Sequence, residues 1–329
     1  MHQALEPTDL HDEGTTREPR RRQSRRRRIR RRPTGLKSPV LQILGSGSSG
    51  NLAIIDLPSV STPRQLVVDL GLGPRTTRSR LASIDRSFDP EQVVAALVTH
   101  ADQDHLRPSW AHTLTCHHWR VHSPPSHHAG LARLGVPGSG IHAVADRGRE
   151  TDVSTGVRVT AAIAPHDDHG TAVYRITLDV IDGSPVVLGW ATDLGRVTPA
   201  VESLLQDCDV IAIESNYDPD LQADANRPPF LKKRITGGHG HLSNREAMEA
   251  VSRLAERHEP SAIALLHLSR DCNHPDLVRK LWESECPRLA DRLHIADATS
   301  PLPPITLRPG RPAPGSPTAQ PPIPETLWA

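Results

Sequence analysis

The apolar positions of this chain fall into short runs, and nearly every run ends in a polar cluster. Runs at 40–44, 52–55, 66–71, 93–98, 157–163, 174–181, 186–190, 209–214, 261–266 and 293–296 are rich in Val, Ile and Leu. Their length and composition predict buried β-strands. Between them, spacing predicts helices at 76–84, 199–206 and 275–285, and one starting at Ser243-Asn244-Arg245-Glu246, which has capping-box spacing, and running to about 258. Asp182-Gly183 reads as the turn of a hairpin. Residues 106–150 carry no clear period, and 218–242 read as irregular. Strands that alternate with helices predict a layered α/β domain.

Both ends break this pattern. Residues 1–35 are predicted to be a disordered Arg-rich tail, and 300–329 a Pro-rich disordered tail, around one domain at 36–299. The net charge of +1 hides an asymmetry: residues 1–32 hold 11 Arg against 5 acids, leaving −5 on the rest. The arm reads either as an electrostatic contact for nucleic-acid phosphates or as an extension without a role. No apolar run approaches a membrane span, and no apolar segment follows the N-terminal charges, so neither membrane insertion nor a cleaved signal is expected. Four scattered cysteines without a C-x-x-C fit free thiols in a reducing cytoplasm and argue against a cysteine-built metal site.

The chemistry lies where strands end. The 93–98 run delivers His100-Ala101-Asp102-Gln103-Asp104-His105, two His and two Asp within six positions. Imidazole and carboxylate are the usual ligands of Zn²⁺ and related ions, and a strand end holds them on a rigid support. For any single His or Asp a solvated polar turn is the commoner reading, and four in six positions favour the metal loop. Three further strands end in the same residue types, at His166, Asp193 and His267. In a layered fold such ends gather on one edge, so the four segments together predict a metal site. Gly45-Ser46-Gly47-Ser48-Ser49-Gly50-Asn51 could present backbone N–H groups to a phosphate but lacks the Lys of a Walker loop, and an ordinary hairpin turn is its commoner use. The irregularly spaced His112, His117, His118, His122, His127 and His128 read mainly as surface residues.

With these residues in place the chain resembles the metallo-β-lactamase-fold hydrolases, whose core motif is H-x-H-x-D-H. It is more specifically similar to the WalJ/YycJ-like branch, a group of nucleases or phosphohydrolases. That closer resemblance rests on the Gly45–Asn51 segment, Ala191-Thr192-Asp193-Leu194-Gly195, Glu214-Ser215-Asn216, Leu231-Lys232-Lys233-Arg234-Ile235, Gly240-His241-Leu242-Ser243-Asn244 and His267-Leu268-Ser269, and spans roughly 38–298. The resemblance implies an αββα sandwich and two divalent metal ions, Zn²⁺ or Mn²⁺. It implies that His100 and His166 bind one ion, that Asp104, His105 and His267 bind the other, and that Asp193 bridges them. Asp69 would brace the metal loop. Asp193, His241 and Asp104 would serve catalysis. Ser48, Asn51, Lys233, Arg234, Ser243 and Asn244 would lie near substrate.

One position departs from the motif: Asp102 stands where the family has its second His. Asp102 as a ligand would put three carboxylates against two divalent ions and favour Mn²⁺. A poorly held first ion is the competing reading. Retained ligation is preferred because every other ligand is present. The implied activity is phosphodiester hydrolysis by a metal-bridging hydroxide, with DNA favoured over RNA and a 5′-exonuclease mode. The alternatives are a small-molecule phosphodiesterase, lactonase or thioesterase of the same fold, or a nucleic-acid-binding protein with an impaired metal site. Oligomeric state is left open.

Overall fold

A computed structural model describes residues 36–146, 148–181 and 183–313. The predicted tail at 1–35 and residues 314–329 of the predicted tail at 300–329 lie outside these residues. The first half contributes strands β1 (Val40–Gly45), β2 (Leu52–Leu57), β3 (Arg64–Val68), β4 (Val93–Leu97), β5 (Val121–Ser123) and β6 (Ile141–Ala143). The second half contributes β7 (Thr151–Ser154), β8 (Val157–Ala164), β9 (Thr171–Leu178), β10 (Val186–Ala191), β11 (Val210–Glu214), β12 (His258–Glu259), β13 (Ala262–Leu266) and β14 (Leu293–Ile295). Two short strands follow, β15 (Ile305–Thr306) and β16 (Arg311–Pro312). The helices are α1 (Pro74–Ser83), α2 (Ala111–Cys116), α3 (His128–Arg133), α4 (Pro199–Leu205), α5 (Pro219–Asp224), α6 (Pro229–Arg234), α7 (Asn244–Leu254), α8 (Pro275–Glu285) and α9 (Pro287–Ala290).

Two seven-stranded sheets form, ordered β15-β1-β2-β3-β4-β5-β6 and β14-β13-β11-β10-β9-β8-β7. Side chains alternate across each strand, and the alternation sorts them into layers. Leu41, Ile55, Val68 and Leu97 from one sheet share a core with Ala161, Tyr174, Leu188 and Ala264 from the other. The odd-register partners Ile54, Val67 and Ala96 turn outward under α1, α2 and α3. Ile211, Ile213, Ile263 and Leu265 turn outward under α4, α7 and α8. Each sheet is therefore covered on both faces, the predicted αββα sandwich.

This topology sets the strand ends. β3 and β4 run parallel, as do β10, β11 and β13. β8 reaches the same direction as β10 through antiparallel β9. The C-terminal ends of β3 and β4 thus face those of β8, β10, β11 and β13. There the Ala172 N–H donates to the Thr99 carbonyl at 2.8 Å, and the Tyr174 hydroxyl to the Val98 carbonyl at 2.6 Å, tying the two sheets together.

Several expectations need correction. The chain from Ser300 to Ala313 is part of the fold, so the body extends past 299. Ile305–Thr306 pairs with β1, and the Leu302 and Leu307 N–H groups donate to the Ile43 and Pro39 carbonyls at 2.9 Å. Proline is tolerated at a sheet edge, and the alternate residues Ile305 and Leu307 are buried. Residues 218–242 contain α5 and α6, each opened by a proline and too short to show a helical period. The helix after the capping box ends at Leu254, because His258–Glu259 pairs with Arg311–Pro312 instead. His122 is buried because β5 lies between β4 and β6 with both faces covered, and His127 is buried in the short turn after β5, while His112, His117 and His118 are exposed as expected. The four cysteines are free thiols. Among the described residues no helix is long and apolar enough to cross a membrane.

Candidate metal centre

Each strand end delivers its side chain through a defined local structure. Asp69, Asp193 and His267 leave β3, β10 and β13 with φ of 58°, 55° and 55°. This left-handed backbone is one that few non-glycine residues adopt, and it clusters at functional sites. Asp69 is fully buried. One of its oxygens accepts from the Thr99 N–H at 2.9 Å, and the other lies 2.8 Å from His105 Nδ1. With Nδ1 tied down, His105 turns Nε2 inward, 3.0 Å from Asp193 Oδ2. His166 is fixed in the same way, with Nδ1 2.9 Å from the Gly240 carbonyl. An imidazole held at one nitrogen presents the other as a ligand.

The rings form a chain along the edge: His100 to His105 at 4.0 Å between centroids, His100 to His166 at 5.3 Å, His166 to His241 at 5.3 Å and His241 to His267 at 5.2 Å. Two sets of ligand atoms emerge, each with all members within 4.8 Å of one another. One is His100, His166 and Asp193, and the other is Asp193, Glu214, His241 and His267. Asp193 is common to both.

The sequence reading gave Glu214 no role. It ends β11 and is fully buried, and it accepts from the Leu194 N–H at 2.7 Å and the Leu242 N–H at 3.3 Å. Its Oε1 lies 2.7 Å from His241 Nδ1 and 3.0 Å from His267 Nδ1, orienting both rings. The signal was a carboxylate at the end of a wholly apolar strand, the same signal that marked Asp193.

Asp102 and Asp104 differ from these buried acids. Asp102 is 55 % exposed and its nearest imidazole contact is His100 at 3.8 Å; Asp104 is 28 % exposed and 3.8 Å from His105. Neither joins the two compact sets. Partial burial and the neighbouring Asp104 and Asp167 raise the Asp102 carboxyl above its ordinary range.

The remaining expected residues divide. Asn51 is buried, with its amide 3.0 Å from His105 Nε2 and donating to the Asp104 carbonyl at 3.3 Å. Ser48 is exposed on the same loop, and Lys233 and Arg234 are exposed on α6. The Ser243 side chain is taken up by the capping box with Glu246. Asn244 is buried, accepting from Ser215 Oγ at 2.6 Å and pairing with Asn273 at 2.9 Å. Its side chain thus braces the loops behind the rings.

These residues fit a divalent cation. His267 Nε2 is buried and has no hydrogen-bond partner among the described residues. Burial and the adjacent His105 push His100 well below the usual imidazole range, which leaves a neutral ring with a free lone pair. Burial would do the same to His105 and His241, but carboxylates prevail. Asp69 and Asp193 hold His105 well above its ordinary value, and Glu214 lifts His241 to about 9. Burial opposes ionisation of Asp193, yet His267 and His105 hold it well below the carboxylate range. The edge is a field of fixed negative charge that draws positive charge inward, and protons and metal ions compete for such a place.

The sequence matches the family of the Beta-lactamase superfamily domain over residues 64–267. It is 29 % identical over 260 residues to the exodeoxyribonuclease WalJ of Streptococcus pneumoniae, covering 74 % of this chain and 88 % of that protein. It is 25 % identical over 248 residues to the exodeoxyribonuclease YycJ of Bacillus anthracis, covering 72 % and 85 %. Among solved structures, the metallo-β-lactamase fold protein YhfI of Bacillus subtilis aligns with a TM-score of 0.59 at 14 % identity, over 80 % of this chain and 98 % of that one.

Proposed function

The chain belongs to the Beta-lactamase superfamily domain family and is a metal-dependent hydrolase, and on that premise we propose that its substrate is a DNA phosphodiester, cleaved in the manner of a 5′-exonuclease. The observation that carries the reading is Asp193, grouped with His100 and His166 on one side and 3.0 and 3.3 Å from His105 and His267 on the other, in a chain similar over most of its length to two exodeoxyribonucleases. In this reading the edge would take two divalent ions, Zn²⁺ or Mn²⁺. His100, His166 and Asp102 would hold one, His105, His267 and Asp104 would hold the other, and Asp193 would serve both. The bound ions would supply Lewis acidity toward a phosphoryl oxygen and acidify a water toward a pKa of ~7.

The chain's own residues do the rest. Asp69 fixes the His105 tautomer, and Glu214 fixes those of His241 and His267. His241 keeps one nitrogen on Glu214, which leaves Nε2 to pass a proton to the departing oxygen. The buried Glu214 carboxylate on its other nitrogen favours the protonated ring that a general acid needs. Lys233 and Arg234 on α6 offset phosphate charge. Free thiols agree with a reducing, cytoplasmic setting.

The test is to purify the protein, measure bound Mn, Zn and Fe, and assay end-labelled duplex DNA, single-stranded DNA, RNA and a generic phosphodiester with each metal. Shortening of labelled DNA from the 5′ end, lost together with bound metal in His100→Ala, is the expected result. Hydrolysis of the small ester alone would replace the DNA reading with a small-molecule hydrolase. DNA binding without turnover under any metal would leave a binding protein.

A further inference from the structure

Two of the loops that carry ligand-type histidines each place an arginine just beyond. Arg107 follows His105 by two positions, and Arg270 follows His267 by three. Both reach back to the same residue of the Gly/Ser loop. Arg107 Nη2 donates to the Ser49 carbonyl at 2.9 Å, and its Nε donates to the Gly71 carbonyl at 2.7 Å. Arg270 Nη2 donates to Ser49 Oγ at 2.8 Å. Both side chains are exposed, and among the described residues neither has a carboxylate partner.

The pair is held in place without being neutralised. Neutral oxygens orient the two forks, and a guanidinium has five N–H donors, so most of them remain available. Beneath the loop Arg80 donates to the Leu44 and Ala298 carbonyls at 2.7 and 3.0 Å, where Asp297 attracts its charge and Arg270 repels it. A staple for the loop would need hydrogen bonds alone. Gathering like charges on one serine is unfavourable until an anion joins them.

The platform is also rigid. The Asn51 N–H donates to the Asp104 carbonyl, and the Gly71 N–H to the Asn51 carbonyl, both at 2.8 Å. A Cβ on Gly71 would lie 1.6 Å from the Asp104 carbonyl oxygen, so the three loops are in direct backbone contact. An anion bound at Ser49 is therefore held in a fixed relation to His105.

We propose that Arg107 and Arg270 form a clamp, anchored on Ser49, for a backbone phosphate of the nucleic acid flanking the bond to be cut. The identity of the ligand rests on the nuclease reading. The clamp also gives the Gly45–Asn51 loop a use: its serine sets the spacing of two cations at the rim of the metal edge.

The test is fluorescence anisotropy of a labelled single-stranded DNA on the full-length protein in EDTA, where turnover plays no part, over a range of salt concentrations. Arg107→Ala and Arg270→Ala should each weaken binding about fivefold and reduce the slope of log K against log salt by about 0.7, and the double variant by about twice that. Arg107→Gln and Arg270→Gln, which keep an amide donor without the charge, should lose the same affinity with an unchanged melting temperature. Arg279→Ala, an exposed arginine on α8, should move neither quantity. A methylphosphonate strand, whose backbone is neutral, should be insensitive to all of these substitutions. Affinity and slope within twofold of wild type in both alanine variants would overturn the clamp, as would a loss in the alanine variants that the glutamine variants restore. Parallel cleavage assays with metal separate the two ideas. Wild-type DNA cleavage with the arginine variants unchanged in binding sinks the clamp alone, whereas arginine-dependent binding without wild-type cleavage sinks the nuclease reading alone.

Discussion

Two kinds of carboxylate meet at the metal edge. Asp193 and Glu214 sit at the ends of β10 and β11, buried, with backbone and imidazole donors already on their oxygens. Asp102 and Asp104 sit in the loop after β4, more exposed and no closer than 3.8 Å to an imidazole nitrogen. The strand-end pair is organised before any cation arrives. The loop pair is less organised, and partial burial together with Asp104 and Asp167 raises the Asp102 carboxyl. Preorganised charge carries more of a site's affinity and catalysis than charge that must be gathered.

That contrast sets an order of effects. The largest is expected from Asp193→Asn, which removes the charge common to both ligand sets. Turnover should fall on the order of 10³-fold and bound metal should drop below one ion per chain, read by steady-state assay and elemental analysis. Retention of both ions would break the premise that strand-end charge dominates. Glu214→Gln should come next, with a loss of about 10–100-fold in metal affinity or activity, because two rings lose their orienting partner. Asp102→Ala should cost about tenfold or less, and Asp102→His should keep activity or raise it. If Asp102→His abolished activity while Asp102→Ala left metal content untouched, retained ligation at this position would be wrong.

A fifth carboxylate, remote from the edge, supplies the smallest effect on activity. Glu259 on β12 is buried and meets Arg288, Arg292 and Arg311 at 2.8, 2.8 and 2.7 Å. Burial opposes its ionisation, but the three guanidinium partners hold its carboxyl down at about 2. Because the folded value is depressed, its contribution is complete above the ordinary carboxylate pKa of ~4.5 and is lost as pH falls toward about 2. Glu259→Gln should therefore lower stability by about 1–3 kcal/mol at pH 7, with the gap from wild type closing as pH falls below ~4.5. Denaturant melts at several pH values read it. DNA cleavage should be unaffected, which would separate charge that holds the fold from charge that builds the site.

The same contrast explains what was legible in the sequence. Four strand ends announced themselves because an apolar run stops on a His or Asp, and the alternation of strands and helices predicts a layered α/β domain, while the αββα sandwich came from the family resemblance. Glu214 gave the same signal, but it lies behind His241 and His267 instead of in a His-rich motif. Ser243 and Asn244 stand beside His241 in sequence, yet their side chains turn into a helix cap and a buried amide network. Sequence adjacency does not give direction. Residues 300–313 were lost to their proline content, although Ile305 and Leu307 keep the alternation of an edge strand.

The left-handed backbone at Asp69, Asp193 and His267 bears on re-engineering the centre. At those three positions a cysteine or a β-branched residue would carry ~1–2 kcal/mol of backbone cost, whatever its merit as a ligand. His100, His105 and His166 have no such constraint. A thiolate-rich variant meant to favour a softer metal should therefore be built from those three histidines, with Asp193 and His267 left alone.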